Sequence, residues 1–185
     1  MEWEFDILYW FQDMHGPVLD KLALAFTMLA EKGIAWILVA LFLLIFVKDK
    51  RVGLTCWLSL TLSFLLCNIL LKNMVQRDRP CWIDTSIPLL VEIPDDFSFP
   101  SGHTSFSFAA ATAIVQYYKG WGMVALVAAA LTGMSRLYLF VHFPTDVLVG
   151  AGVGVISGLL SGLLVRDFYR AHPNFRLPVL ERKGK

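Results

Sequence analysis

Eight residues in this chain have the types and spacing to grip and cleave a phosphate: Lys72, Arg79, Ser101, Gly102, His103, Arg136, His142 and Asp146. Arginine offers phosphate a planar fork of donors, and lysine adds a point charge. Pro100-Ser101-Gly102-His103 stands at the mouth of an apolar stretch. Gly102 permits close backbone approach there, the free N–H groups of a helix start attract an anion, and Ser101 fits as N-cap or hydroxyl donor. Asp146 follows His142 by four residues, one helical turn, and Pro144 between them suits a first turn. An aspartate on one ring nitrogen fixes the tautomer and frees the other nitrogen as a nucleophile. His142 is then expected to attack phosphorus, with Asp146 orienting it and His103 protonating the leaving oxygen. The scheme needs no metal and no other cofactor. Taken singly, each residue has a plainer reading, as a structural histidine or a snorkelling cation at a helix end; it is the grouping that argues for chemistry. His15 and His172 lack such company and read as surface residues. Arg77 reads as a solvated neighbour of the cluster, with Asp78 as its partner.

Residues so far apart in sequence need a scaffold to bring them together, and the composition says which kind. Only 17% of the 185 residues are charged, against about a quarter in a soluble domain, and the mean hydropathy is +0.62. The apolar residues come in blocks. Gly53–Leu71, Gly102–Tyr118, Trp121–Leu139 and Thr145–Val165 each approach the length that crosses a roughly 30 Å hydrocarbon layer. Leu19–Leu29 and Ile34–Val47 read as two more spans joined by a turn at Glu31-Lys32-Gly33, six in all. One long span with charges in its middle is the alternative, and intramembrane charges are expensive. The expectation is an all-α polytopic bundle in one domain over 1–185: an amphipathic interfacial helix over 1–16, a six-helix core over 17–166 and a basic tail over 167–185.

In an alternating bundle, Lys72 and Arg79 close one span, His103 opens the next, Arg136 closes the one after, and His142 and Asp146 begin the last. All of these ends fall on one face, whichever count holds for the N-terminal region. Lys48–Arg51, Lys119 and the tail lie on the other face together with the N-terminus, which the positive-inside rule assigns to the cytoplasm. The site would then be extracytoplasmic in an inner-membrane protein. A net charge of +1 gives no sign of a nucleic-acid partner. Trp3, Ile7, Trp10 and Met14 form one face of the N-terminal helix, suited to the membrane surface. Gly150, Gly154, Gly158 and Gly162 make a stripe for close helix packing inside the bundle or across a homodimer seam; the oligomeric state stays open. Cys56 and Cys67, eleven apart on one span, cannot pair, and Cys81 stands alone in a loop. That loop, Cys81–Phe99, mixes aromatics with Glu92, Asp95 and Asp96 and is expected to shape access to the site.

Lys72 to Pro80 (KNMVQRDRP), Pro100 to His103 (PSGH) and Ser135 to Asp146 (SRLYLFVHFPTD) resemble, intact and in order, the three signatures of the type 2 phosphatidic acid phosphatase family. The resemblance implies a metal-independent membrane lipid phosphatase with a six-helix core. It implies that His142 is phosphorylated with help from Asp146, that His103 protonates the leaving group, and that Lys72, Arg79, Ser101, Gly102 and Arg136 bind the phosphoryl group. Undecaprenyl diphosphate is the expected substrate, with phosphatidylglycerol phosphate and phosphatidic acid as alternatives. A lipid or anion carrier using the same cationic pocket is the reading from another class, but it would not need Asp146 one turn from His142.

Overall fold

The computed structural model describes residues 2–29 and 33–175. Among them the chain is helical with no strand: α1 (Glu2–Gln12), α2 (Pro17–Leu29), α3 (Ile34–Phe46), α4 (Lys50–Phe64), a π-helical stretch Leu65–Leu71, α5 (Lys72–Val75), α6 (Pro80–Ile83), α7 (Gly102–Val115), α8 (Lys119–Tyr138) and α9 (Pro144–Ala171). Three segments among the described residues are long and apolar enough to cross a membrane: Lys50–Ile83, Lys119–Tyr138 and Pro144–Ala171; Ile34–Phe46 is a shorter apolar helix. With this composition the chain is an integral membrane protein.

Helix α7 is the axle of the bundle. It is built from small residues, and Ala109, Ala110, Ala111 and Ala113 are fully buried, so α3, α4, α8 and α9 can all pack closely around it. The glycine stripe of α9 faces α7. A Cβ on Gly150 would lie 2.6 Å from the Ser101 carbonyl oxygen, and one on Gly154 would lie 2.4 Å from that of Ser105. The stripe is therefore spent inside the bundle rather than on a homodimer seam.

In the N-terminal region, two short helices stand where the sequence suggests two spans. Helix α1 packs at the end of the bundle where α8 stops and α9 starts: Phe5 stacks edge-on against Phe143, Tyr9 donates to Asp84, and Gln12 donates to the Tyr138 carbonyl. Helix α2 starts at the same end, with Asp20 accepting from the Tyr138 hydroxyl, and descends along α8 until Thr132 donates to the Phe26 carbonyl. Helix α3 continues in that direction, from Gly33 beside Phe106 to Leu44 beside Gly53. At 13 residues each, α2 and α3 are roughly 20 Å long, shorter than the roughly 30 Å hydrocarbon layer. The two helices run one after the other in the same direction, and helix α1 lies at the site end of the bundle rather than at the opposite end. The turn residues Glu31 and Lys32 lie outside the described residues, as does the tail beyond Phe175. The last helix also outruns its expected end at 166 and continues to Ala171.

The amphipathic reading of α1 holds for its outer side. Trp3 and Trp10 are more than half exposed, while Glu4, Leu8 and Phe11 are buried against the bundle. The three cysteines are free and buried, Cys81 included.

Candidate active site

Lys72, Arg79, Gly102, His103, Arg136 and His142 line one cavity of about 460 Å³ at the site end of the bundle. Four separate helix ends bring them there. The π-helical stretch before Lys72 adds Asn68 to the wall, with Asn68 Oδ1 buried and unpartnered among the described residues; such local widening recurs at functional sites. Ser101 and Asp146 do not line the cavity but stand behind it. Ser101 occupies the N-cap position of α7, yet its Oγ accepts from Thr104, and its N–H donates to the Asp146 carbonyl at 3.0 Å. It joins the start of α7, which carries His103, to the start of α9 just after His142.

His142 is 1% exposed. Burial, and after it the charges of Arg79, Arg136 and Lys72, push this imidazole well below its ordinary range, so the ring is neutral. Its tautomer follows from its neighbours. Arg79 Nη1 lies 3.2 Å from Nε2, and a guanidinium can only donate, so Nε2 carries the lone pair. The proton then sits on Nδ1, 3.4 Å from Ser98 Oγ and 3.6 Å from Asp146 Oδ2. Ser98 in turn donates to Asp146 Oδ2, which also accepts the Phe143 N–H at 2.8 Å. Asp146 is thus held as a fixed acceptor at the start of α9, where the helix dipole favours its charge.

The other oxygen of Asp146 accepts from Arg77 Nη1 at 2.7 Å, and Arg77 Nη2 pairs with Glu4 at 2.6 Å. Arg77 is therefore not a solvated neighbour paired with Asp78. It is a part of the site that the sequence reading passed over, as are Glu4, Ser98, Asn68 and Asp96. Two of these left a trace in the sequence. Glu4 shares the i, i+4, i+7 face with Leu8 and Phe11, an odd position for a carboxylate unless it has a partner. Asp96 is one of three acids in a loop already suspected of shaping the site.

Asp96 bridges two of the cavity's cations, Lys72 and Arg79. One oxygen pairs with Lys72 and the other with Arg79 Nη2 at 2.5 Å. Burial alone would raise this carboxyl, but the Lys72 and Arg79 partners bring it down to about 2. Arg79 also donates to the Asp96 carbonyl at 2.7 Å and the Val141 carbonyl at 2.7 Å. A phosphate approaching Nε2 of His142 must therefore compete with a carboxylate for the donors of Arg79. Arg136, 5% exposed, reaches Thr27 of α2 across the cavity wall. The Cys81–Phe99 loop contributes Glu92, Asp95 and Asp96 to the cavity lining. Among the described residues, no group of three or more His, Cys, Asp or Glu side chains is placed to hold a metal ion.

The structure thus gathers three cations and two histidines around one cavity, with a buried carboxylate behind it, at one end of a helical bundle. Residues 52–170 match the PAP2 superfamily, and the chain belongs to that family. It is 33% identical over 127 residues to an undecaprenyl-diphosphatase of Sulfolobus acidocaldarius, covering 68% of this chain and 61% of that protein. The chain thus spans less than two thirds of this relative's length. Among solved structures it resembles Aquifex aeolicus LpxE, with a TM-score of 0.75, 31% identity and coverage of 85% of this chain and 93% of that one. It also resembles a transmembrane PAP2-type phosphatidylglycerolphosphate phosphatase from Bacillus subtilis, with a TM-score of 0.71, 28% identity and coverage of 95% and 88%. These phosphatase relatives support a lipid phosphatase.

Proposed function

We propose that this chain hydrolyses a lipid phosphate or diphosphate through a phosphohistidine at His142, with undecaprenyl diphosphate as the first-choice substrate. The observation that carries the mechanism is the neutral His142 ring, with its Nε2 lone pair at the cavity and its Nδ1–H turned to Asp146. Nε2 attacks phosphorus, the bond from phosphorus to the leaving oxygen breaks, and His103 gives that oxygen its proton. Undecaprenyl phosphate leaves if the substrate is the diphosphate. Water, deprotonated by His103, then attacks the phosphohistidine; the P–N bond breaks and inorganic phosphate departs. Lys72, Arg79 and Arg136, with the N–H groups at Gly102, balance charge on the equatorial oxygens. Asp146 stabilises the ring while it carries positive charge.

Phosphatidylglycerol phosphate is the second reading, favoured by the likeness to the Bacillus subtilis structure over 95% of this chain; phosphatidic acid is a third. A carrier function leaves the His142–Asp146 pairing without a purpose. The site is assigned to the extracytoplasmic face because Lys48, Lys50, Arg51, Lys119, Arg166 and Arg170 gather at the opposite end of the bundle. The tail that follows α9 is then cytoplasmic, and the N-terminal helix shares the outer face with the site.

Protein purified in detergent, with chelator present, is expected to release phosphate from these lipids with the highest kcat/KM on undecaprenyl diphosphate. His142→Ala is expected to abolish release. Equal release by both proteins would remove the enzymatic reading, and a higher kcat/KM on another lipid would replace the substrate.

A further inference from the structure

The family match begins at residue 52, yet the carboxylate that orients His142 is braced from before that point. Glu4 is 4% exposed, in a helix whose outer face is aromatic. Both of its oxygens are committed: Oε2 accepts from Arg77 Nη2 at 2.6 Å and Oε1 from Thr145 Oγ1 at 2.6 Å. Arg77 Nη1 reaches Thr145 Oγ1 and Asp146 Oδ1, each at 2.7 Å. The guanidinium also lies 4.0 Å over the Phe143 ring, which keeps its plane in place. Thr145 accepts from Arg77 and donates to Glu4, so the hydrogen-bond directions close without conflict.

Charge counting gives this arrangement a purpose. Asp146 and Arg77 alone would form a neutral ion pair, with the arginine drawing on the charge that His142 needs. Glu4 takes up the other half of the guanidinium, so Glu4, Arg77 and Asp146 together carry one net negative charge. The oxygen of that group facing His142 is Asp146 Oδ2. When Nε2 bonds to phosphorus the ring becomes cationic, and the surplus charge is then in position to stabilise it.

We propose that Glu4 is a positioning residue for the reaction, acting through Arg77 to keep Asp146 both fixed and effectively anionic. Helix α1 is therefore part of the catalytic apparatus as well as a membrane-surface element. The inference rests on the proposed nucleophilic role of His142.

The test is a double-mutant cycle on the full chain in detergent, with Glu4→Gln, Arg77→Gln and the pair, read as kcat and KM for phosphate release. Glu4→Gln keeps the shape and removes the charge; kcat is expected to fall about tenfold with KM unchanged. In the Arg77→Gln background the same change is expected to have little further effect, because the charge it balances is gone. Glu4→Asp should recover part of the rate. Glu2→Gln, an exposed change on the same helix, should leave kcat unaltered. A Glu4→Gln protein with wild-type kcat and only a lowered melting temperature would overturn the proposal, as would equal losses with and without Arg77. An inactive wild type, or a fully active His142→Ala, would instead remove the underlying mechanism and is read separately.

Discussion

Replacing Gly150 with alanine should slow the enzyme from a position that touches no substrate. The Cβ would stand 2.6 Å from the Ser101 carbonyl oxygen, about 0.8 Å short of ordinary contact. Neither side can yield cheaply, because the obstacle is backbone at the start of α7 and the intruder is on the backbone of α9. The two helices must part just where the Ser101 N–H meets the Asp146 carbonyl at 3.0 Å. His103 rides on one helix and His142 is anchored to the other, so the gap opens between the proposed general acid and the proposed nucleophile. Overpacking of this kind costs about 1–3 kcal/mol of stability. A displacement approaching 1 Å at reacting groups costs on the order of 10- to 100-fold in rate. Gly152 is the matched control: a Cβ there meets nothing within 4 Å, and alanine should be neutral or stabilise the helix by about 0.5–1 kcal/mol. Phosphate release and thermal unfolding in detergent measure both effects. A folded Gly150→Ala protein with wild-type kcat would refute the claim that close α7–α9 packing sets the catalytic geometry.

Asp96→Asn should remove the anion that competes for Lys72 and Arg79, so vanadate and inorganic phosphate, as inhibitors, should bind about tenfold more tightly; unchanged inhibition would mean the carboxylate does not compete. The same residue predicts an acid limb in stability. Its folded pKa of about 2 lies below the ordinary carboxylate value, so its contribution is full above about pH 4 and lost as pH falls toward 2. Discounted for a carboxylate that is 49% exposed, that contribution is about 1 kcal/mol, and melting curves should show the limb in the wild type and not in Asp96→Asn. Asp146→Asn should lower kcat by on the order of 10²–10⁴ while sparing KM. It should also cost stability, since the amide sets a donor against one of Arg77, Ser98 or the Phe143 N–H; an unchanged kcat would contradict the orienting role.

The convergence of the site was readable from the sequence because it depends only on the order of spans. Lys72, His103, Arg136 and His142 stand at successive helix ends, and alternation alone brings those ends to one face. The N-terminal topology was not readable in the same way. Leu19–Leu29 and Ile34–Val47 have the hydropathy of two spans, and only the contacts of α2 with α8 and of α3 with α7 show them running in the same direction. The bracing residues were hidden for a related reason. Arg77 finds Glu4 at a separation of 73 residues, and no local pattern encodes such a pairing. Ser98 belongs to a long loop with no local motif around it, and only the folded loop sets it at the His142–Asp146 gap. Ser101 shows the opposite case: its motif position suggested a phosphate contact, and its geometry makes it a joint between α7 and α9.

Covalent transfer to one ring nitrogen is the central step of the proposed mechanism. Rapid acid-free quenching of the enzyme during turnover, followed by mass spectrometry of its peptides, tests this directly. A single added phosphoryl group on His142, labile to acid, is expected during turnover and absent from a His142→Ala protein. Turnover at full rate with no phosphoryl group on His142, or with the group on another residue, would contradict this mechanism.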